Sequence, residues 1–251
     1  ASVRLLRPAE WNLKPCIGCM RCLFKGSDCV LGDRLGELLD AMRRADALVL
    51  CAPTYVLSPN AVLKIIQDRT IRFGLSRELA GKAGMAAATA GVRGWEGFSV
   101  AQLTGMLLFY GVTVVDRFTG YGQGPGEILD DAPSLARAAR AGRALARGET
   151  AFLGEPGLCP HCTLSEVVPA PGGGARCNVC DVPGRLEGGR FLPDPSVEPR
   201  FSEAKMKEHF TEKVLASGPR FKAEMKEYAS RVAAFRRSIP SQVLAGNKHL
   251  D

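Results

Sequence analysis

The sequence predicts an α/β fold built on a doubly wound parallel sheet. Ala45–Ala52 (ADALVLCA) and Ala83–Ala90 (AGMAAATA) are near-continuous apolar runs of strand length, the pattern of strands covered on both faces. Helical stretches lie between such runs, with apolar residues at i, i+3, i+4 and i+7. Strand and helix alternate in this way through residue 147, as they do when crossover helices join parallel strands.

Taken in order, Ser2–Leu6 alternates like a short strand until Arg7-Pro8 breaks it. A cysteine-rich loop follows. Asp33 is an N-cap, and Leu35, Leu38, Leu39 and Met42 stripe a helix over Arg34–Arg44. Cys51, inside the first apolar run, reads as a small core residue. That strand ends in Pro53–Asn60. A helix over Ala61–Phe73 is then capped by Asn60 or Ser58 and closed by Gly74. After Ala83–Ala90 come the glycine-rich loop Gly91–Gly97, a helix over Phe98–Tyr110, a strand over Val112–Asp116 and an Ala/Arg-rich helix over Ser134–Arg147. Ligands of such sheets sit at the carboxyl ends of the strands. Here those ends are the Pro53–Asn60 and Ala90–Gly97 loops, whose Gly, Pro, Thr and aromatic content favours a ligand over plain turns. From Glu198 to Ile239 the pattern gives two helices split at Ser217-Gly218-Pro219, lying against the rest of the protein or a second subunit, and Ser241–Asp251 reads as a frayed end. The expected organisation is residues 1–150, a segment over 151–195, and a helical extension over 196–251.

Cysteine spacing supplies the chemistry. Cys16, Cys19, Cys22 and Cys29 follow C-x2-C-x2-C-x6-C. Zinc sites recruit cysteines as two separated pairs, whereas a close run of thiolates wraps a cubane whose irons each take one. The expected occupant is a 4Fe–4S cluster, with Cys29 completing it; a zinc knot or metal-free thiols are the alternatives. Downstream, Cys159-Pro160-His161-Cys162 and Cys177-Asn178-Val179-Cys180 form two C-x2-C knuckles fourteen residues apart. That spacing specifies one tetrahedral four-cysteine site, zinc being expected and a single iron the alternative. So Gly-rich a segment would draw its folding energy from the metal.

The totals agree with a globular protein. The chain has 251 residues, 46% hydrophobic and 24% charged. No eighteen-residue apolar window and no signal-peptide core is present, so neither a membrane span nor export is expected. Nine cysteines, eight of them grouped, point to metal rather than disulfides and so to the cytoplasm. A net charge of +7 is spread through helices with interleaved Glu. It reads as a solvated basic face first, an attraction for anionic small molecules second, and nucleic-acid binding last.

The order PCIGCMRC…C, a helix, ADALVLCAPTYVLSPNAVLKIIQDR and then TAGVRGWEG resembles the iron–sulfur flavoproteins of the flavodoxin-like, NADPH-dependent FMN reductase superfamily, over about residues 1–120. The four-cysteine zinc-ribbon-like segment and the helical tail are additions. The resemblance implies FMN at the carboxyl edge of a flavodoxin-like sheet and a 4Fe–4S cluster beside it, often near the flavin of a neighbouring subunit in a dimer or tetramer. By position it assigns Pro53, Thr54, Tyr55 and Val56 to the loop along the isoalloxazine ring and Asn60 to the start of the next helix. Ala90, Gly91, Gly94 and Trp95 fall in the second flavin loop. Relatives open with a strand and a Ser/Gly/Asn/Thr-rich turn that holds the FMN phosphate. Residues 1–15 contain no such turn, so the first strand of the sheet is expected to be missing.

The expected function is an FMN-dependent oxidoreductase passing electrons between the cluster and FMN, fed by NAD(P)H or a carrier such as ferredoxin. No protein acid or base is required, and no catalytic set forms around His161, His209 or His249. The rival is a zinc-binding nucleic-acid or protein interaction module without redox activity. A third reading is an electron-transfer or assembly subunit that keeps the cluster without FMN.

Overall fold

The computed structural model describes residues 1–238. The chain falls into two compact units, Ala1–Lys207 and Glu208–Asp251. In the first, β1 (Ala47–Tyr55), β3 (Ala83–Ala90) and β4 (Thr113–Tyr121) pair in parallel, and β2 (Ser58–Pro59) folds back antiparallel on β1, giving the order β2-β1-β3-β4. This is a flavodoxin-like α/β sheet. No strand precedes β1 among the described residues.

One face carries α2 (Leu35–Arg44), α3 (Ala61–Arg69), α4 (Arg72–Ser76) and α5 (Ser99–Phe109). Their apolar stripes close the main core: Leu35, Leu38, Leu39 and Met42 from α2 meet Leu48, Ala52, Ile66, Phe73, Leu103 and Leu107. The central strand is built of small residues so that α5 can approach. A Cβ at Gly84 would stand 2.7 Å from the Leu48 carbonyl oxygen and 2.8 Å from Val112 Cγ1. On the other face α6 (Ala132–Ala146) packs on β3 and β4, closing a smaller core of Ala83, Met85, Val115 and Ala141.

The four-cysteine segment folds as an antiparallel sheet in the order β5 (Val167–Ala170), β6 (Gly174–Cys177), β7 (Pro183–Glu187) and β8 (Arg190–Pro193). In the second unit α8 (Ala216–Ser238) continues from a π-helical turn over His209–Leu215, itself preceded by α7 (Glu203–Glu208). Among the described residues no helix is long and apolar enough to cross a membrane.

Several expectations are corrected. Ser2–Leu6 forms no strand: Val3 and Leu5 alternate but are 92% and 81% exposed, with no neighbouring strand to pair. The helix predicted over Ala61–Phe73 is two helices, because the Thr70 hydroxyl donates to the Ile66 carbonyl and bends the chain. Gly74 lies inside α4, where the Phe109 ring fills the space of a side chain; the helix ends at Ser76 with Arg77 left-handed. Strand β4 runs on to Tyr121 rather than stopping at Asp116. That buried carboxylate is tolerated mid-strand because Arg137 Nε donates to it at 3.0 Å and Nη2 at 2.6 Å. Cys51 is exposed, since alternate residues of β1 face the side that α6 covers only over β3 and β4. Pro219 sits in the first turn of α8 without splitting the tail. The wide turn upstream accommodates the missing donor. The predicted frayed end at Ser241–Asp251 lies outside the described residues.

Candidate functional site

The loop Pro15–Gly32 curls through left-handed residues at Gly18, Met20 and Gly26. Its turns bring Cys16, Cys19, Cys22 and Cys29 around one cavity of about 320 Å³, closed by Ile17, Val30, Ile71 and Arg69. Cys16 and Cys19 are exposed, whereas Cys22 and Cys29 are half-buried. Burial pushes the Cys22 thiol up, and the nearby Cys29, Cys16 and Cys19 push it further. The Gly18 amide points at Cys16 Sγ, 3.4 Å away. Ile17, Val30, Leu31 and Ile71 give the cavity an apolar lining around four thiols, and a cubane takes one thiolate at each iron. These residues fit the cluster.

Arg69, which sequence reading passed over, anchors this loop from the last position of α3. Its side chain is fully buried. It donates to Asp33 Oδ1 at 2.9 Å, the Lys14 carbonyl at 2.9 Å and Cys29 Sγ at 3.3 Å. The Asp33 carboxyl, held by Arg69, is lowered to about 2. A carboxylate depressed on folding contributes stability above its unfolded value near 4, and that contribution is lost as pH falls toward 2. The stability difference between the protein and Asp33→Asn is therefore expected to shrink from pH 4 to pH 2. Acid unfolding followed by circular dichroism reads it, and a pH-independent difference would contradict the pair.

At the other end of α3, about 13 Å away for nine residues, lies the carboxyl edge of the sheet. There Pro53, Thr54 and Tyr55 leave β1 and turn back through Val56 and Leu57, both left-handed at φ 48° and 65°. A β-branched residue adopts that conformation only when its surroundings hold it. They do: Phe98 N donates to the Leu57 carbonyl at 2.8 Å, and Thr54 Oγ1 donates to Ser99 Oγ at 2.8 Å. The Asn60 amide donates to the Pro53 carbonyl at 3.1 Å, while its side chain makes no cap bond. Ala90, Gly91, Gly94 and Trp95 form the adjoining loop. Gly122 N donates to the Ala90 carbonyl at 3.0 Å, bringing in the loop after β4.

All nine predicted flavin residues thus belong to one edge. Phe98 and Tyr121 lie outside the two loops named from the sequence; extending the strand over Val112–Asp116 through RFTGYGQG reaches Tyr121. Arg93 lies 4.0 Å over the Tyr121 ring. Burial, then the neighbouring Glu96, raises the Tyr121 phenol. Glu96 Oε2 is buried without a hydrogen-bond partner. Tyr55, Val56, Trp95 and Phe98 are 59–94% exposed. Apolar side chains gathered at one edge beside a carboxylate with one unpartnered oxygen suit a flat ring with polar margins.

The second metal candidate is more compact. Cys159, Cys162, Cys177 and Cys180 are buried, with ligand atoms all within 4.8 Å of one another. Sulfurs of Cys159 and Cys180 lie 3.9 Å apart, those of Cys162 and Cys177 3.6 Å. A tetrahedron of ~2.3 Å metal–sulfur bonds has edges of about 3.8 Å, so one ion fits. The Cys180 amide donates to Cys177 Sγ at 3.3 Å. His161 is exposed and outside the quartet.

Comparison with known proteins agrees with this geometry. The NADPH-dependent FMN reductase family matches residues 1–124. An iron–sulfur flavoprotein of Methanocaldococcus jannaschii is 31% identical over 147 residues, 55% of this chain and 76% of that one. One from Archaeoglobus fulgidus is 31% identical over 142 residues, 56% of this chain and 63% of its own length. Among solved structures, a flavone reductase superposes with a TM-score of 0.71 at 21% identity, covering 85% of this chain and 83% of that one, a likeness of fold. The chain belongs to the iron–sulfur flavoproteins of the NADPH-dependent FMN reductase family and is an FMN-dependent oxidoreductase.

Proposed function

We propose that the protein passes electrons between a 4Fe–4S cluster held by Cys16, Cys19, Cys22 and Cys29 and FMN at the carboxyl edge of the sheet, with zinc on the downstream quartet. One observation carries this: α3 ends at the cysteine cavity and begins at the flavin edge, so one rigid helix fixes both. The cluster would supply one-electron and FMN one- or two-electron chemistry. Tyr55, Val56, Trp95 and Phe98 keep water from the ring's faces, Thr54 and Asn60 offer polar contacts, and the zinc quartet is structural. NAD(P)H or a ferredoxin-like carrier is the donor. Anaerobic purification should give flavin bands, about four irons and four labile sulfides per chain and one zinc. A colourless protein with two zinc ions would replace this reading with the interaction module.

The assembly is a homo-oligomer, and α8 supplies a seam for it. Phe221, Met225, Tyr228, Val232 and Phe235 recur at spacings of four and three, within an arc of about 80°. No residue of α8 is buried. Glu224 and Arg231 flank the seam on one side, so an antiparallel second copy sets each against its opposite. Val232→Glu is expected to halve the sedimenting mass of the full chain with helix content kept. An unchanged mass would remove α8 from the interface.

A further inference from the structure

Arg69 is a buried cation whose guanidinium is shared between two unlike groups. Its Nε faces the Cys29 sulfur at 3.3 Å, and Nη1 and Nη2 grip the Asp33 carboxylate on the far side. The positive end of the pair is thus turned toward the cysteine cavity. Asp68, the other charged residue lining that cavity, is half-exposed and paired with Lys64. The carboxyl end of α3 also points there, and helix ends of that sense carry partial negative charge. Without Arg69 the one charged side chain lining the cavity, among the described residues, would be Asp68.

We propose that Arg69 raises the reduction potential of the iron–sulfur centre, through its hydrogen bond to the Cys29 ligand and its buried charge, and that Asp33 opposes it. The inference rests on the cluster reading above. The couple is the addition of one electron to the cluster, supplied by an external titrant, with no bond made or broken. Added negative charge spreads onto the ligand sulfurs, so a hydrogen bond and a cation beside them favour the reduced form. Arg69 is a positioning residue: it touches a ligand and not the reacting electron donor. A purely structural role is the competing account, since Arg69 also ties the Lys14 and Leu31 carbonyls to α3.

Opposite signs separate the two accounts. Arg69→Gln removes the cation, whereas Asp33→Asn removes the counter-charge and leaves the bond to Cys29. Both loosen the same clamp. Anaerobic titration of the loaded full chain, with the reduced cluster read by electron paramagnetic resonance, should show Arg69→Gln shifted down at least tenfold in its reduction equilibrium, about 59 mV for one electron. Asp33→Asn should move up. Arg69→Lys, which keeps the charge without the directed bond, should fall between wild type and Arg69→Gln, and it carries the test if Arg69→Gln assembles no cluster. Shifts of the same sign in the Arg69 and Asp33 variants, or none at full iron and sulfide content, overturn the proposal. Wild-type protein without iron and sulfide overturns the cluster reading itself, a separate result read before any titration.

Discussion

Cys162→Ser is expected to abolish metal binding at the downstream quartet and to unfold most of residues 158–193. The reason is what that segment has in place of a core. Its buried residues are Cys159, Cys162, Leu164, Ala175, Cys177, Cys180, Val182 and Phe191, so half of them are the proposed ligands. Strands β5 to β8 are four or five residues long, too short to hold without a further source of stability. A structural zinc ion supplies about 10–16 kcal/mol of apparent binding energy at pH 7, and in small metal domains that is folding energy. Without the ion the thiols compete: contact with Cys162 drives the Cys159 thiol down, and contact with Cys159 drives the Cys180 thiol up.

The loss should spread a short way. Ala101 and Leu108 of α5 pack against this cluster, and Arg117 of β4 donates to Thr163 Oγ1 at 3.2 Å. The main sheet has its own core and should survive. Elemental analysis should therefore show metal at this site near zero while flavin content is kept, and limited proteolysis should cut between residues 158 and 193. Full metal content in the variant, or resistance of that stretch to protease, would defeat the account.

The sequence was most legible where one force dominates. Apolar runs give β1 and β3, and Ala83–Ala90, covered on both faces, is placed to the residue because such a strand leaves little choice of residue. Both cysteine sets are legible for a different reason: their spacing alone, C-x2-C-x2-C-x6-C and two C-x2-C knuckles, marks each as a set, and the fold brings each set together. Longer-range polar contacts were invisible. Asp116 looked like the end of a strand because nothing local announces Arg137, twenty-one residues on. Likewise Arg69 looked like one more basic residue of an amphipathic helix, since its partners lie 36 to 55 residues away. Cys51 was misread because an apolar run does not say whether a helix covers each part of the sheet. The glycines of the 91–97 loop read as the mark of a ligand loop, yet Gly97 is defined by what presses on it.

That pressure makes Gly97→Ala the sharpest test of the flavin edge. Gly97 is left-handed at φ 51°, and a Cβ there would lie 2.4 Å from the Leu57 carbonyl oxygen and 2.6 Å from Leu57 Cα. Both are backbone atoms, so no side chain can swing aside. The same carbonyl accepts from Phe98 N, so the methyl must push the 53–60 and 91–97 loops apart. Strain of this kind costs about 1–3 kcal/mol, and it falls on exposed loops rather than on the core. FMN affinity should therefore drop about tenfold to a hundredfold, at 1.4 kcal/mol per factor of ten, with little change in melting temperature. Gly148→Ala is the control: φ is 73° but the space is open, so conformational strain is present without a clash at the edge. Quenching of FMN fluorescence on titration into apoprotein measures the difference. If Gly97→Ala binds FMN as tightly as Gly148→Ala, the two loops do not form the flavin site together, and the ring must be sought elsewhere on the molecule.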